Sequence, residues 1–528
     1  MKLSNKYIGI FLLSGAMTMS SCSDSWLQED SLTESSSATF WQTADDAMMG
    51  LVACYDGLQT EQLYNGGPWN MGPVNFDCMS DNGGHFNWSG WMEGYDIANG
   101  THNASSWAVG SFWSDNYEVI KRCNLLIANI DRVNMSDAMR AQYKAEALTL
   151  RALMYINLTM TYNDVPYITE PLTLDKAEMG STKRADIVAS EMELLKGCVN
   201  DLPVKADLGR VTRGACYAVL GRMALYNEKW DEAIAAYKAI LELGYSLEGD
   251  YARLFTQAGQ TSPEIVFSVR FEGPGLSEGA CFNAHWNTPL EAMNGTLNLA
   301  DEYYNLDGSK PADKNYGVMN DGKLDLWQPN ADHWTGRDPR LYATLFVPGM
   351  TWNGKGGATA WYGGAAASMS TVYVMKYFDP SDTGNSWDNG QDFYVVRYAE
   401  VLLSLAEALV EKGGYTESEV LGLVDMVRTR AGMPRVEDVE GSGLSQSSLM
   451  DIIRHERRVE LAFEGLRLFD LYRWRILDKA VQAIENERTT YGLAYEKRIF
   501  NGERDYVWPI PLGELDSNKK LEQNALWK

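Results

Sequence analysis

Three tryptophans, Trp69, Trp88 and Trp91, stand in the stretch WNMGPVNFDCMSDNGGHFNWSGW (69–91) beside Asp77, Asp81, Asn82 and Asn87. Flat apolar rings next to carboxylates and amides suit a ligand ring that has an apolar face and a rim of hydroxyls. The indole covers the face, and the oxygens and amide groups take the rim. Gly83, Gly84 and Gly90 carry no Cβ and let the backbone approach a bound molecule closely. So much Gly, Asn and Asp predicts that no regular element runs through the stretch. A second region of the same character, roughly 273–391, holds Trp286, Trp327, Trp334, Trp352, Trp361 and Trp387. Trp286 and Trp334 are the candidates to oppose the first group. The competing role for each ring is to pin a long loop to its scaffold.

Other chemistry is thinly represented. GLSEG (275–279) matches the serine nucleophile-elbow pattern after the strand-like EIVFSVRF, but no helical period follows it, as an elbow requires. GMTWNGKGG (349–357) nearly spells a phosphate loop, yet Gly356 replaces the magnesium-holding Ser or Thr. The five histidines, at 85, 102, 285, 333 and 455, lack metal-ligand spacing. DPSDTGNSWDNGQD (379–392) is rich in oxygen but lacks the EF-hand register, and reads as a solvated acidic loop. In RHERRVELAFEG (454–465), Arg454, Glu456, Arg457, Arg458 and Glu460 lie at three- and four-residue spacing, which predicts ion pairs along one helix. No catalytic residue, metal or cofactor is expected. A net charge of −25 and the absence of a basic stripe argue against a nucleic-acid partner.

These candidates need a framework, and the rest of the chain supplies helices. Apolar positions Ala147, Leu150, Met154 and Leu158 recur at helical spacing within 141–162, predicting a helix that packs by one face and stops before Pro166. The segment from Gly214, GACYAVLGRMALYNEKWDEAIAAYKAILELGYS, has the length of a tetratricopeptide unit, with Tyr217, Leu220 and Gly221 in the first helix and Ala233 and Tyr237 in the second. One such unit cannot bury its own face, so helices at 141–162, 185–200, 398–412, 417–431 and 448–464 are expected to stack on it. At the start, Lys2 and Lys6 precede a short apolar run from Tyr7 to Met19, the length of a signal-peptide core. The run ends in MSSC, which places Cys22 where a lipoprotein would be cut and lipidated. Six further cysteines are scattered without the close pairs of a zinc site.

Several segments, taken in order, carry a resemblance to the SusD/RagB family of outer-membrane nutrient-binding lipoproteins. TFWQTADDAMMGLVACYDGL (39–58), WSDNYEVIKRCNLLIANID (113–131), EALTLRALMYINLTMTYNDVPYIT (146–169), RDPRL (337–341), RYAEVLLSLAEAL (397–409), RHERRVELAFEGLRLFDLYRW (454–474) and VWPIPLGELDSNKKLEQNALW (507–527) are similar to its signatures. Lys519 and Ala525-Leu526 depart from the usual ending. The resemblance implies a mainly α fold: about four tetratricopeptide-like helix pairs carrying long, irregular ligand-binding insertions. It divides the chain into a signal peptide (1–21), a tether (22–38) and one domain (39–528). Within that domain the scaffold falls mainly in 39–65, 113–270 and 393–528, and the ligand loops in 66–112 and 271–392. It further implies a lipid on Cys22, surface exposure on the outer membrane, a glycan ligand, and a SusC-like TonB-dependent transporter as partner. The glycan site it implies comprises Trp69, Asp77, Asp81, Asn87, Trp88, Trp91, Trp286 and Trp334. A peptide- or protein-binding scaffold of the same uptake system is the alternative, with a hydrolase acting through Ser277 behind it.

Overall fold

The computed structural model describes residues 40–66, 72–85, 94–282, 293–311, 317–320, 323–329, 331–347, 350, 372–379, 387–486 and 497–528. The proposed signal peptide, tether and Cys22 lie outside them, as does GMTWNGKGG apart from Met350. Ten helices form the bulk: α1 (Ala44–Asp56), α2 (Trp107–Asn129), α3 (Asp137–Tyr162), α4 (Arg184–Cys198), α5 (Arg213–Leu225), α6 (Trp230–Leu241), α7 (Tyr398–Lys412), α8 (Glu417–Arg430), α9 (Gln446–Leu461) and α10 (Arg467–Arg473). The starts are set by side-chain caps that satisfy otherwise orphaned amides. Thr43 and Asp46 form a reciprocal capping box on α1, and Ser136, Thr212, Thr416 and Ser445 cap α3, α5, α8 and α9.

The helices stack on one another in order, α2 on α3, α3 on α4, α5 on α6, α6 on α7 and α7 on α8. This is the tetratricopeptide-like, mainly α architecture expected. Gly221 shows why the unit at 213–241 needs a small residue: a Cβ there would lie 2.7 Å from the Tyr237 ring, so only glycine lets α5 approach α6 this closely. The expectation that α3 packs by one face is corrected. From Thr149 to Tyr162 it is buried almost all round, because α1, α2, α4 and α5 all contact it. Its polar members are met from within: Arg151 pairs with Glu191 at 3.0 Å, and Thr159 and Thr161 donate back to carbonyls one turn earlier.

The two regions expected to be irregular contain strands. Gly83–His85 (β1), Met293–Gly295 (β3), Leu345–Phe346 (β6) and Val372–Val374 (β7) form a four-stranded antiparallel sheet in the order β1-β3-β7-β6. Ile265–Val269 (β2) pairs with Phe393–Arg397 (β8), and Gly317–Asn320 (β4) with Lys323–Pro329 (β5). A short helix, Pro73–Cys78, also runs through the first tryptophan-rich stretch. Its Phe76 is held between Phe112, Phe469 and Trp508, with ring centroids 5.0, 5.4 and 6.0 Å away. Burying such rings outweighs the local preference for turn in a Gly- and Asn-rich sequence.

The charges of α9 also find partners differently from the expectation. They pair across elements and not along the helix. Glu460 accepts from Arg397 at 2.5 Å, Arg340 at 2.8 Å and Arg430; Glu464 holds Arg397 at 2.7 Å and Lys376 at 2.8 Å; Arg457 pairs with Asp470 at 2.7 Å. Burial would raise the Glu460 pKa, but the three guanidinium groups outweigh it and hold the carboxyl well below its usual range. RDPRL, RYAEV and RHERRVELAFEG thus meet in one buried ion network that ties α8 and α9 to β8.

Candidate functional site

Of the eight residues expected at the ligand site, three are described: Asp77, Asp81 and Trp334. Trp69, Asn87, Trp88, Trp91 and Trp286 lie outside the described residues. Asp77 is fully buried. Its Oδ1 accepts from the Phe463 amide at 2.9 Å and from Asn82 Nδ2 at 2.7 Å, and its Oδ2 accepts from the Gly465 amide at 2.8 Å. Phe463 and Gly465 both have left-handed φ, so this carboxylate fixes the turn between α9 and α10. Burial pushes its pKa up to about 6 despite those donors.

Asp81, four residues on, titrates in the opposite sense. Burial acts to raise its pKa, but Arg458 and Arg467 prevail and hold it well below the ordinary carboxylate range. Arg467 grips it in a two-point fork at 2.8 and 2.9 Å, and Arg458 lies at 3.2 Å. Asn82 bridges the two carboxylates' surroundings, accepting from Arg458 at 2.9 Å. Arg498 donates to the carbonyls of Cys78, Ser80 and Gly83. Asp77, Asp81 and Asn82 were expected on a polar rim. In the structure every one of them is committed to an internal partner, so they form the foundation of the loop.

Two further expectations change in the same direction. Trp334 is only 3% exposed, and its carbonyl accepts from the Tyr342 hydroxyl, so it packs inward as part of the core. Gly83 is needed for an approach of the chain to itself, since a Cβ there would stand 2.8 Å from the Asn294 carbonyl oxygen across the β1–β3 ladder. The acidic segment 379–392 is not a solvated loop over its described end: Asn389, Gln391 and Asp392 are buried, and Asp392 pairs with Arg270 at 2.6 Å. Ser277 has left-handed φ, as an elbow serine would, but Glu278 then pairs with Glu272 in an antiparallel bridge where an elbow needs a helix.

What the framework does bring together are the points from which the tryptophan-bearing segments leave it. Residues 67–71, with Trp69, leave at Gly66, whose missing Cβ makes room for the Phe282 ring. Residues 283–292, with Trp286, leave at that same Phe282 and rejoin at Met293. Met293 pairs with His85, and residues 86–93, with Trp88 and Trp91, leave at His85. Asn65 locks the junction by accepting from the Cys281 amide at 2.9 Å. Beside it stands Trp387, 46% exposed, whose carbonyl accepts from the Cys281 thiol. Its exposure separates Trp387 from the buried Trp334, a distinction that residue type and spacing do not carry. Among the described residues no cluster of His, Cys, Asp and Glu is placed to hold a metal ion.

A stacked helical-repeat scaffold interrupted by aromatic-rich segments at Gly66, Phe282 and His85 defines the class of fold. Comparison with known proteins gives the family. Residues 252–527, more than half of the chain, match the model of the SusD family, and 27–225 match a model described as starch-binding associating with outer membrane. The chain belongs to the SusD family. It is 25% identical to the SusD-like protein P25 of Formosa agariphila over 99% of this chain and 98% of that one. A solved SusD-like carbohydrate-binding protein of Bacteroides fragilis aligns with a TM-score of 0.76 at 25% identity, covering 92% of this chain and all of the other. The surface glycan-binding protein A of Bacteroides uniformis shares the fold with a TM-score of 0.68 at 23% identity, covering 92% of this chain and 100% of that one.

Proposed function

We propose that this chain is a non-catalytic, surface-exposed lipoprotein that captures an oligo- or polysaccharide and passes it to a SusC-like TonB-dependent transporter. Cys22 carries the lipid, and residues 22–38 tether the domain to the outer membrane. The observation that carries the reading is that the tryptophan-bearing segments leave the framework in adjoining pairs, at Gly66 against Phe282 and at His85 against Met293, with Trp387 exposed beside Cys281. Indole platforms held at the edge of a rigid base bind the apolar faces of sugar rings, and neighbouring amides take the hydroxyls. Trp69, Asn87, Trp88, Trp91 and Trp286 remain the ligand-facing candidates, joined by Trp387. The naming of the Bacteroides fragilis relative as carbohydrate-binding and the starch-binding description of the matched family model support the same reading.

The test is affinity electrophoresis of the purified protein through gels containing neutral host, plant and microbial polysaccharides, with Trp88→Ala run alongside. Retardation by one glycan, lost in the variant, is expected. Equal mobility in every gel would sink the glycan reading and move weight to a peptide ligand. Esterase or glycosidase activity that disappears in Ser277→Ala would overturn the non-catalytic assignment.

A further inference from the structure

A pocket of about 510 Å³ is lined by residues of α3, α4, α5, α6, α7, α9 and α10 and by none of residues 67–71, 86–93 and 283–292. Its volume is in the range that holds one or two small rings. Six non-glycine residues among those described have left-handed φ, and three of them, Asn163, Glu228 and Arg475, line this pocket. Such conformations cost free energy and concentrate where a surface is shaped for a ligand.

Its cations are incompletely matched. Arg454 lies over the Trp474 indole, 4.9 Å from the ring centre, and Trp474 donates to Glu407 at 2.7 Å. Among the described residues the Arg454 Nε is buried without a hydrogen-bond partner, and the carboxylate nearest the guanidinium, on Glu411, is 3.8 Å away. Burial, and then the charge of Glu407, raise the Glu411 pKa, while Arg454 acts to lower it. Arg184, on the opposite lining, donates to Asn227, the Tyr226 carbonyl and the Met160 sulfur, none of them a carboxylate. By contrast Arg473 is saturated by Glu407 and Asp470. The pocket therefore offers the guanidinium of Arg454, the exposed carboxylate of Glu228, the amide of Asn163 and the half-buried indole of Trp230.

The geometry points to a second ligand site, which takes an acidic sugar: a hexuronate whose carboxylate is received by Arg454, whose hydroxyls meet Glu228 and Asn163, and whose ring lies against Trp230. The mixture of charges selects this chemistry. A guanidinium plane matches a carboxylate at two points, while carboxylate and amide oxygens accept from hydroxyls. An amino acid would instead need a caging carboxylate for its ammonium. Glu407 is already spent on Arg473 and Trp474, and Glu411 faces Arg454 at 3.8 Å.

The test is titration calorimetry of the full protein with sodium glucuronate, with glucose and glutamate as comparators. Saturable binding is expected, at least about tenfold tighter than that of glucose, and about tenfold weaker in Arg454→Gln. Trp88→Ala, which removes a candidate of the glycan site and leaves this pocket untouched, is expected to bind glucuronate as the parent does. Should Arg454→Gln fail to fold, the exposed Glu228→Gln carries the test, with about threefold weakening expected. The proposal is overturned by no binding of glucuronate up to about 100 mM, by equal affinity for glucose, by tighter binding of glutamate, or by a loss confined to Trp88→Ala.

Discussion

The interior around Glu460 and the junction beside Trp387 are both dense in the residue types that suggest chemistry, and they differ in what those residues touch. Around Glu460 each charge faces its opposite within the protein: Arg340, Arg397 and Arg430 on Glu460, Arg397 and Lys376 on Glu464, Arg340 on Glu456. At the junction the framework is closed by backbone and amide bonds, and a large indole is left in solvent. A charge-rich motif whose charges each face an opposite charge inside the protein is architecture. An aromatic left uncovered on a rigid base is available to a ligand.

The sharpest way to break this contrast is to remove the centre of the network. Glu460→Gln leaves three buried guanidinium groups short of a counter-charge, and the expected cost is about 3–5 kcal/mol, read by chemical denaturation. A variant that lost less than about 1 kcal/mol would show that the network is not what holds α8 and α9 to β8.

The foundation of the loop is next, and pH separates its two carboxylates. The folded-state pKa of Asp81 is depressed, so its contribution is present above the unfolded value of about 4 and is lost as pH falls through the folded value. Asp81→Asn is expected to cost about 2–4 kcal/mol at neutral pH, with the deficit shrinking below about pH 4. Asp77 is raised to about 6, so its contribution is present below about pH 4 and is lost as pH climbs through 6. The deficit of Asp77→Asn should therefore shrink between about pH 4 and pH 6, where that of Asp81→Asn is flat. Parallel profiles for the two variants would refute the division of roles between them.

These two residues also mark where the sequence stops being readable. Local rules found the helices: predicted spans at 185–200, 398–412, 417–431 and 448–464 fall on observed helices at Arg184–Cys198, Tyr398–Lys412, Glu417–Arg430 and Gln446–Leu461. Periodicity reports on neighbours three and four residues away, and that is sufficient for a helix. It carries nothing about partners hundreds of residues distant. Asp77 looked like a ligand group because its donors, the amides of Phe463 and Gly465, lie 386 and 388 positions along the chain. The charges of α9 looked self-paired because Arg340 and Arg397 come from other elements. The same limit hid the sheet, whose strands are two to three residues long and whose register joins 83–85 to 293–295.

A smaller effect tests the scaffold that carries both regions. Gly221→Ala drives a methyl group into the buried Tyr237 ring, and the α5–α6 pair has to shift to admit it, at an expected cost of about 1–3 kcal/mol in a thermal melt. Because the contact lies in the repeat and not at the junction, glycan retardation by this variant is expected to match the parent at temperatures where it is folded.

The smallest expected effect on stability sharpens the comparison most. Trp387→Ala removes a large ring, but one that is nearly half exposed, so the melting curve should move by no more than about 0.5 kcal/mol. Glycan retardation should nevertheless weaken by about fivefold or more, since an indole platform contributes on the order of 1 kcal/mol to a ring it covers. A stability loss comparable to that of Asp81→Asn, with retardation unchanged, would make Trp387 another pin for the loop. The contrast between a paired interior and an open junction would then have to be drawn at Trp69, Trp88, Trp91 and Trp286.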